Sequence, residues 1–144
     1  MPNILHRILI KARPEKVYPA FATVDGLQQW WTRHVTAGGP IQPGTILQFG
    51  FGAEGTDMRI TSLIPGRRVE WQCVGGPADW LGTRLFLDVE PHGDKTILHF
   101  GQKGWREEND FYGHCNCRWG YFMLSIKSLI ETGKGTPYPE ALEI

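Results

Sequence analysis

The segment DFYGHCNCRWGYFMLSIKSLIET, residues 110–132, decides the fold of this chain. Its apolar residues recur at steps of three and four, which places them on one face of an α-helix. They are Phe111, Cys115, Trp119, Phe122, Met123, Ile126, Leu129 and Ile130. The predicted helix is roughly 33 Å long at 1.5 Å per residue. Gly133 suits the left-handed conformation that ends a helix, and Pro137 and Pro139 prevent a restart.

Most of the chain before this helix has the pattern of short β-strands joined by turns. The predicted strands are residues 4–11, 45–51, 55–64, 67–74, 80–90 and 96–102. Alternating apolar residues predict a buried face on them, for example Val69, Trp71 and Cys73. Because the turns between most of the strands are short, the strands should pair as an antiparallel meander.

Two short helices are predicted directly after the first strand. Pro14 at the first helical position starts one of them, and Asp25 is expected to cap the other, which runs through Leu27, Trp30 and Trp31. The long helix is the only element large enough to cover the apolar face of the sheet. The sequence therefore predicts one α+β domain over residues 1–144, with an antiparallel sheet of about six strands wrapped around the C-terminal helix.

Composition and charge exclude several classes of protein. The chain has 144 residues, with 15 basic and 15 acidic side chains and a formal net charge of zero. That balance argues against nucleic acid as a partner. No run of about 18 apolar residues occurs, so no membrane span is expected. Three cysteines are an odd number in a chain that is large enough to fold without disulfides, and they indicate a reducing, cytoplasmic setting.

The aromatic residues are numerous enough either to fill the core or to line an apolar pocket. The candidate ligand-binding residues are Trp30, Trp31, Phe49, Met58, Trp71, Trp80, His114, Cys115, Trp119 and Phe122. Trp30 and Trp31 are adjacent, and adjacent helical positions cannot both face the core. One of the two is therefore expected at a cavity mouth or at an interface.

The run His114-Cys115-Asn116-Cys117 invites comparison with a metal site. Helix positions 115 and 117 point about 200° apart, so the two thiols cannot bind one ion or form a disulfide within a regular helix. We therefore predict structural thiols, no metal and no cofactor.

Catalytic motifs do not occur in the sequence. There is no nucleophile elbow and no His-Glu-x-x-His motif, so no catalytic residue is predicted. His114 is the strongest acid–base candidate. The other polar residues that could enter a cavity are Arg59, Arg84, Asp110, Tyr112 and Arg118.

The order and spacing of several segments resemble the START-like helix-grip (SRPBCC) superfamily. They are most similar to its AHSA-like branch, named for homology to the activator of the ninety-kilodalton heat-shock protein ATPase. The segments are residues 11–18 (KARPEKVY), 26–32 (GLQQWWT), 67–71 (RRVEW), 82–85 (GTRL), 96–100 (TILHF), 104–105 (GW), Trp119 and 131–137 (ETGKGTP). The resemblance implies a helix-grip fold with a cavity between the sheet and the long helix. Members of the superfamily bind lipids, steroids, plant hormones and polyketides, and a minority are cyclases or hydrolases.

Three hypotheses for the function follow from these observations. The first is binding of a small apolar or amphipathic molecule without catalysis. The second is an enzyme of the cyclase or hydrolase type that uses the same cavity, which a buried and paired His114, Asp110 or Arg84 would favour. The third is a co-chaperone-like interaction module, which an exposed apolar patch and a filled interior would favour. A homodimer is also expected, because the outer face of the sheet carries residues such as Phe86.

Overall fold

The computed structural model describes residues 1–144 and shows an α+β fold in which one antiparallel sheet faces one long helix. The elements are β1 (Asn3–Ile10), α1 (Pro14–Ala22), α2 (Val24–Gln28), β2 (His34–Ala37), β3 (Ile46–Phe51), β4 (Glu54–Ile64), β5 (Arg68–Gly75), β6 (Arg84–His92), β7 (Lys95–Lys103) and α3 (Asp110–Thr132). The strand order across the sheet is β1-β7-β6-β5-β4-β3-β2. This is the expected helix-grip fold. No helix is long and apolar enough to cross a membrane.

The prediction of about six strands is wrong by one, because β2 was missed. β2 has four residues, and only Val35 among them is buried, so it carries too little alternation to be recognised. The predicted strand 80–90 also begins too early. Trp80 donates its backbone N–H to Pro77 at 2.9 Å, and Thr83 donates to Trp80 at 2.9 Å, so a turn occupies residues 77–83.

Helix α3 has the bounds that its apolar period and flanking residues predict. The side chain of Asn109 accepts a hydrogen bond from the N–H of Tyr112 at 2.9 Å and caps the N-terminus. Gly133 has φ 89° and ends the helix in the left-handed conformation. The buried side chains on its inward face are Cys115, Trp119, Phe122, Met123, Ser125, Ile126 and Ile130.

The second short helix differs from its prediction at both ends. Thr23, not Asp25, caps α2, since its hydroxyl accepts the N–H of Gly26 at 2.9 Å. The helix ends at Gln28, before the two tryptophans. Trp30 and Trp31 therefore lie in irregular chain and are both buried, with 0% and 2% exposure. The expectation that one of them sits at a mouth or interface was wrong because the helical geometry behind it does not extend to these residues.

The free edge of β1 is covered by side chains of α3 and its neighbours. Lys127 donates to the carbonyl of Leu9 at 2.6 Å, and Tyr112 donates its hydroxyl to the carbonyl of Asn3 at 2.7 Å. These bonds fix the helix along the edge and satisfy backbone groups that would otherwise be open to another strand.

Candidate functional site

The candidate site is a recess between the N-terminal half of α3, the β3–β4 hairpin and the loop that follows β5. Its volume is about 120 Å³. Helix α3 supplies Phe111, His114, Cys115, Arg118, Trp119 and Phe122 to its wall, and the rest of the chain supplies Trp31, Phe51, Glu54, Gly55, Thr56, Pro77 and Trp80. The hairpin and the loop thus form one side of the recess and the helix forms the other.

Stacked aromatic rings fill the interior behind the recess. The ring of Trp31 lies 4.3 Å from that of Phe49, 5.0 Å from that of Trp119 and 6.2 Å from that of Trp71, with the last pair nearly parallel at 7°. Trp30 donates its indole N–H to the carbonyl of Ala20 at 2.7 Å. The aromatic residues thus occupy most of the space between the sheet and the helix.

The ten candidate residues from the sequence divide between the recess and the core. Trp31, Trp80, His114, Cys115, Trp119 and Phe122 line the recess. Trp30, Phe49, Met58 and Trp71 are buried in the core and are not part of its wall. Of the other polar candidates, only Arg118 reaches the recess.

Several wall residues were not among the sequence candidates. Phe51, Glu54, Gly55 and Thr56 come from the β3–β4 hairpin, and Pro77 comes from the loop after β5. No sequence pattern marks them, since their contribution depends on where the hairpin meets the helix. Phe111 could have been found, because it lies one turn before Cys115 on the same face of α3.

Two hydrogen-bonded side chains hold the tryptophan walls in place. Trp119 donates its indole N–H to Gln102 Oε1 at 2.9 Å, and Gln102 Nε2 donates to the Thr83 hydroxyl at 3.1 Å. That hydroxyl in turn donates to the carbonyl of Trp80 at 2.6 Å. The rings of Trp80 and Trp119 are stacked 5.9 Å apart. The chain of bonds therefore connects the ring of Trp119 to the backbone of Trp80.

The polar groups inside the recess are few. The indole Nε1 of Trp80 is buried, and the acceptor beside it is the thiol of Cys115, which lies outside regular hydrogen-bond geometry. Cys115 lies beside it, and burial raises the pKa of the Cys115 thiol to about 11, an effect that the contact with Trp80 and the charge of Arg118 only partly oppose. The hydroxyl of Thr56 is already used, since it donates to the carbonyl of Gly75 at 2.9 Å.

The rim of the recess carries charge and exposed aromatic surface. The guanidinium of Arg118 lies 5.4 Å from the centre of the Phe122 ring and makes no ion pair. His114 is exposed and stacks on Phe111 with 6.2 Å between ring centres. Glu54 is exposed on the opposite side. This arrangement suits binding of a ring by apolar walls, with a hydrogen-bond donor inside and a cation at the mouth.

The residues that would have favoured catalysis or metal binding are not brought together. His114, Asp110 and Arg84 are all exposed, and Tyr112 packs instead against Trp105 with 5.2 Å between ring centres. Cys115 is buried and Cys117 is exposed, as the helix geometry requires, and both are free thiols. No group of three or more His, Cys, Asp or Glu residues is placed to hold a metal ion.

Comparison with known proteins gives a family and a set of similar folds. Residues 11–131 match the family model described as Activator of Hsp90 ATPase homolog 1-like protein. The solution structure of the Aha1 dimer from Colwellia psychrerythraea is 43% identical, with a TM-score of 0.85, over 94% of this chain and 100% of that one. The comparison with curated proteins finds no match.

Two further solved structures share the fold at low identity. DynU16, a putative protein in the dynemicin biosynthetic locus, is 18% identical, with a TM-score of 0.75, over 92% of this chain and 48% of that one. Protein MLL2253 from Mesorhizobium loti is 16% identical, with a TM-score of 0.77, over 90% of this chain and 97% of that one.

Proposed function

The chain belongs to the family of Activator of Hsp90 ATPase homolog 1-like proteins, and on that premise we propose that it binds a small amphipathic ring compound in the recess beside α3. It does so as one domain of residues 1–144, without a cofactor. The observation that carries the proposal is the buried N–H of Trp80 in a largely aromatic wall, where the neighbouring acceptor is the thiol of Cys115 and not an oxygen. A thiol is only a weak acceptor, so a ligand that supplies an oxygen acceptor would satisfy this buried donor better than Cys115 does.

The size of the recess limits what can enter it. Its volume is about 120 Å³, and an apolar protein cavity of roughly 150 Å³ holds one benzene molecule. One six-membered ring is therefore the part of a ligand that fits inside, between the walls formed by Trp80, Trp119 and Phe122. A larger ligand would extend past the rim.

The charge at the rim defines the rest of the ligand. Arg118 has no acidic partner, so a carboxylate or phenolate at the mouth would gain a charge-assisted contact. A ring with an oxygen acceptor near its inner end and a polar or anionic group near its outer end matches both features.

The test is calorimetric titration with phenol, toluene and benzoate, run on the wild type and two matched variants. Trp80→Phe keeps a ring in the wall and removes the donor. Trp105→Phe removes an equally buried and unpartnered N–H that lies outside the recess. We expect Trp80→Phe to weaken phenol binding by about 3- to 10-fold, the range of one hydrogen bond, and to leave toluene binding unchanged. Trp105→Phe should change neither, and a wild type that binds none of the probes would overturn the proposal.

A second candidate function is a protein-interaction module that works as a homodimer. The filled interior favours it, because Trp30, Trp31, Phe49 and Trp71 occupy space that a larger ligand would need. The 43% identical protein from Colwellia psychrerythraea is a dimer in solution, and we extend that state to this chain. Sedimentation equilibrium tests it directly, since a mass of one chain at all concentrations would contradict it.

The proposed setting is the cytoplasm. All three cysteines are free thiols, and Cys117 is exposed. An exposed free thiol is compatible with a reducing compartment and is a liability in an oxidising one.

A further inference from the structure

A row of cations crosses the outer face of the sheet, on the side that faces away from α3. Arg59 on β4 pairs with Gln72 on β5, Gln72 pairs with Arg84 on β6, and Arg84 pairs with Lys103 on β7. The three cations are exposed. We call Arg59, Arg84 and Lys103 the cationic row. Adjacent strands lie about 4.8 Å apart, so the row is roughly 14 Å long.

The charges of the cationic row are not neutralised within the chain. None of its three members makes an ion pair. Arg84 and Lys103 are directly opposite each other, and like charges in that position destabilise a sheet. A cluster of cations that weakens its own sheet indicates a role in binding an anionic partner.

Three acidic side chains on the same face of the sheet, on β5 and β6, already have partners. Asp88 accepts from Arg68 at 3.1 Å and lies 3.8 Å from Arg67. Glu70 lies 3.3 Å from Arg68, and Glu90 lies 2.8 Å from His99. These pairs occupy the carboxylates of β5 and β6, while Asp57 on β4 and Arg7 on β1 form no ion pair on this face.

An acidic segment follows the row closely along the chain. Glu107 and Glu108 lie four and five residues after Lys103, in the connection to α3, and both are exposed. Neither forms an ion pair, and the carboxylate of Glu107 accepts a hydrogen bond only from Asn109, at 3.2 Å. The connection is fixed in place, since Trp105 is fully buried and Arg106 donates to the carbonyl of Ala78 at 3.0 Å.

We infer that the cationic row of one copy of the chain binds Glu107 and Glu108 of a second copy, and that the reverse contact forms at the same time. The inference rests on the homodimer of the proposed function and names its surface. In a two-fold symmetric dimer each contact occurs twice, once on each side of the axis. Because Glu107 follows Lys103 by only four residues on each copy, one axis between the row and the acidic segment serves both contacts.

Apolar surface beside the row supports the same interface. Leu5 pairs with Gly101, and Gly101 pairs with Phe86. These three residues cross the outer face of the sheet beside the cationic row. Leu5 is 61% exposed, and Phe86 is half-buried beneath Arg68, whose guanidinium lies 4.4 Å from the ring centre. Phe86 is therefore covered by the Arg68 side chain and does not form an exposed apolar patch. Leu5 supplies the exposed apolar area that the partner can bury.

Charge reversal on each side of the contact provides the test. The row-reversed variant is Arg84→Glu/Lys103→Glu, and the acid-reversed variant is Glu107→Lys/Glu108→Lys. Each alone places like charges against each other in both contacts, so we expect each to dimerise at least 10-fold more weakly than the wild type. Mixed one to one, the two variants have opposite charges in both contacts and should form a heterodimer. Native mass spectrometry distinguishes it by mass.

Each alternative result has a defined meaning. A control matched to the row-reversed variant, Arg13→Glu/Lys16→Glu, makes the same change of net charge at exposed sites on and beside α1 and should dimerise like the wild type. If both reversed variants still dimerise, the dimer exists but uses another surface. If both are folded monomers whose mixture stays monomeric, the row and the acidic segment do not touch. A monomeric wild type would remove the homodimer itself and leave the recess proposal intact.

Discussion

Trp119 donates its indole N–H to the side-chain oxygen of Gln102 at 2.9 Å, and this bond joins the middle of α3 to the inner face of the sheet. Both side chains are buried, with 2% and 0% exposure. A buried polar pair of this kind fixes the rotation of the helix more specifically than apolar packing, because only one geometry satisfies both groups. It also fixes the ring that forms the inner wall of the recess.

We predict that Gln102→Leu destabilises the protein by about 1–3 kcal/mol, the cost of leaving a buried donor without its acceptor. The substitution replaces the amide with an apolar side chain of similar size, so the loss reflects the hydrogen bonds to Trp119 and Thr83. Urea denaturation followed by fluorescence measures the change. Gln42→Leu is the control, since Gln42 is exposed and makes no side-chain hydrogen bond. Equal effects of the two substitutions would show that the buried bonds contribute nothing.

The sequence predicts the elements that carry a strong period and misses those that do not. Helix α3 was located correctly because its apolar residues repeat over six turns and Gly133 ends them. Strand β2 was missed because one buried residue, Val35, makes no pattern. The prediction for Trp30 and Trp31 is wrong because the helix expected to contain them ends at Gln28.

The candidate site was predictable only on the helix side. The period of α3 places His114, Cys115, Trp119 and Phe122 near the sheet, and these residues do line the recess. Alternation along a strand shows which side chains face the helix, but it does not show how far along the strand a cavity extends. For that reason the sequence also indicates Phe49, Met58 and Trp71 as pocket residues, whereas they are buried in the core. The recess depends on where the β3–β4 hairpin stops, and no local pattern encodes that position.

A methyl group at Gly26 should be poorly tolerated. An added Cβ would collide with the carbonyl of Pro19 and would lie 2.7 Å from Ala20 Cα, and both are backbone atoms of α1. We therefore expect Gly26→Ala to destabilise the protein by about 1–3 kcal/mol through overpacking where the two short helices cross.

Gly113→Ala is the matched comparison, and we expect this substitution to stabilise the protein. Gly113 is also helical, but an added Cβ meets nothing within 4 Å. Replacing glycine by alanine in an open helical position stabilises by roughly 0.5–1 kcal/mol. Thermal unfolding should give a lower Tm for Gly26→Ala and a higher one for Gly113→Ala. A loss of stability in both variants would contradict the open surroundings of Gly113.

Alkaline pH should weaken the fold partly through Cys115. Burial raises the pKa of its thiol from 9.0 to about 11. A raised pKa in the folded state means that the stability linked to the neutral thiol is present below pH 9.0 and is lost as the pH rises toward 11. Cys115→Ala should therefore show a shallower fall of the free energy of unfolding over that interval. Cys117→Ala, which changes an exposed thiol on the same helix, should keep the slope of the wild type.

Acidic pH should destabilise the fold partly through Glu131, which joins α3 to the end of β1. Its carboxylate accepts a hydrogen bond from Lys127 Nζ at 2.7 Å and one from the backbone N–H of Lys11 at 2.8 Å. These bonds, with that of Lys127 the larger cause, hold the pKa of Glu131 below its usual value. A lowered pKa gives stability that is present above the unfolded value of 4.5 and is lost as the pH falls through the folded value.

Glu131→Gln should therefore cost less than about 1 kcal/mol at pH 7, because the pair is partly exposed. The difference from the wild type should disappear in acid, where the native carboxylate is also neutral. Urea denaturation at a series of pH values between 7 and 2 measures both curves, with Glu143→Gln, an exposed site near the C-terminus, as the control. If the gap between wild type and Glu131→Gln stays constant to the lowest pH, the contribution of Glu131 comes from packing and not from its charge. If the free energies of unfolding of the wild type and Glu131→Gln converge in acid, the hydrogen bonds of Glu131 with Lys11 and Lys127 are the acid-sensitive connection between β1 and α3.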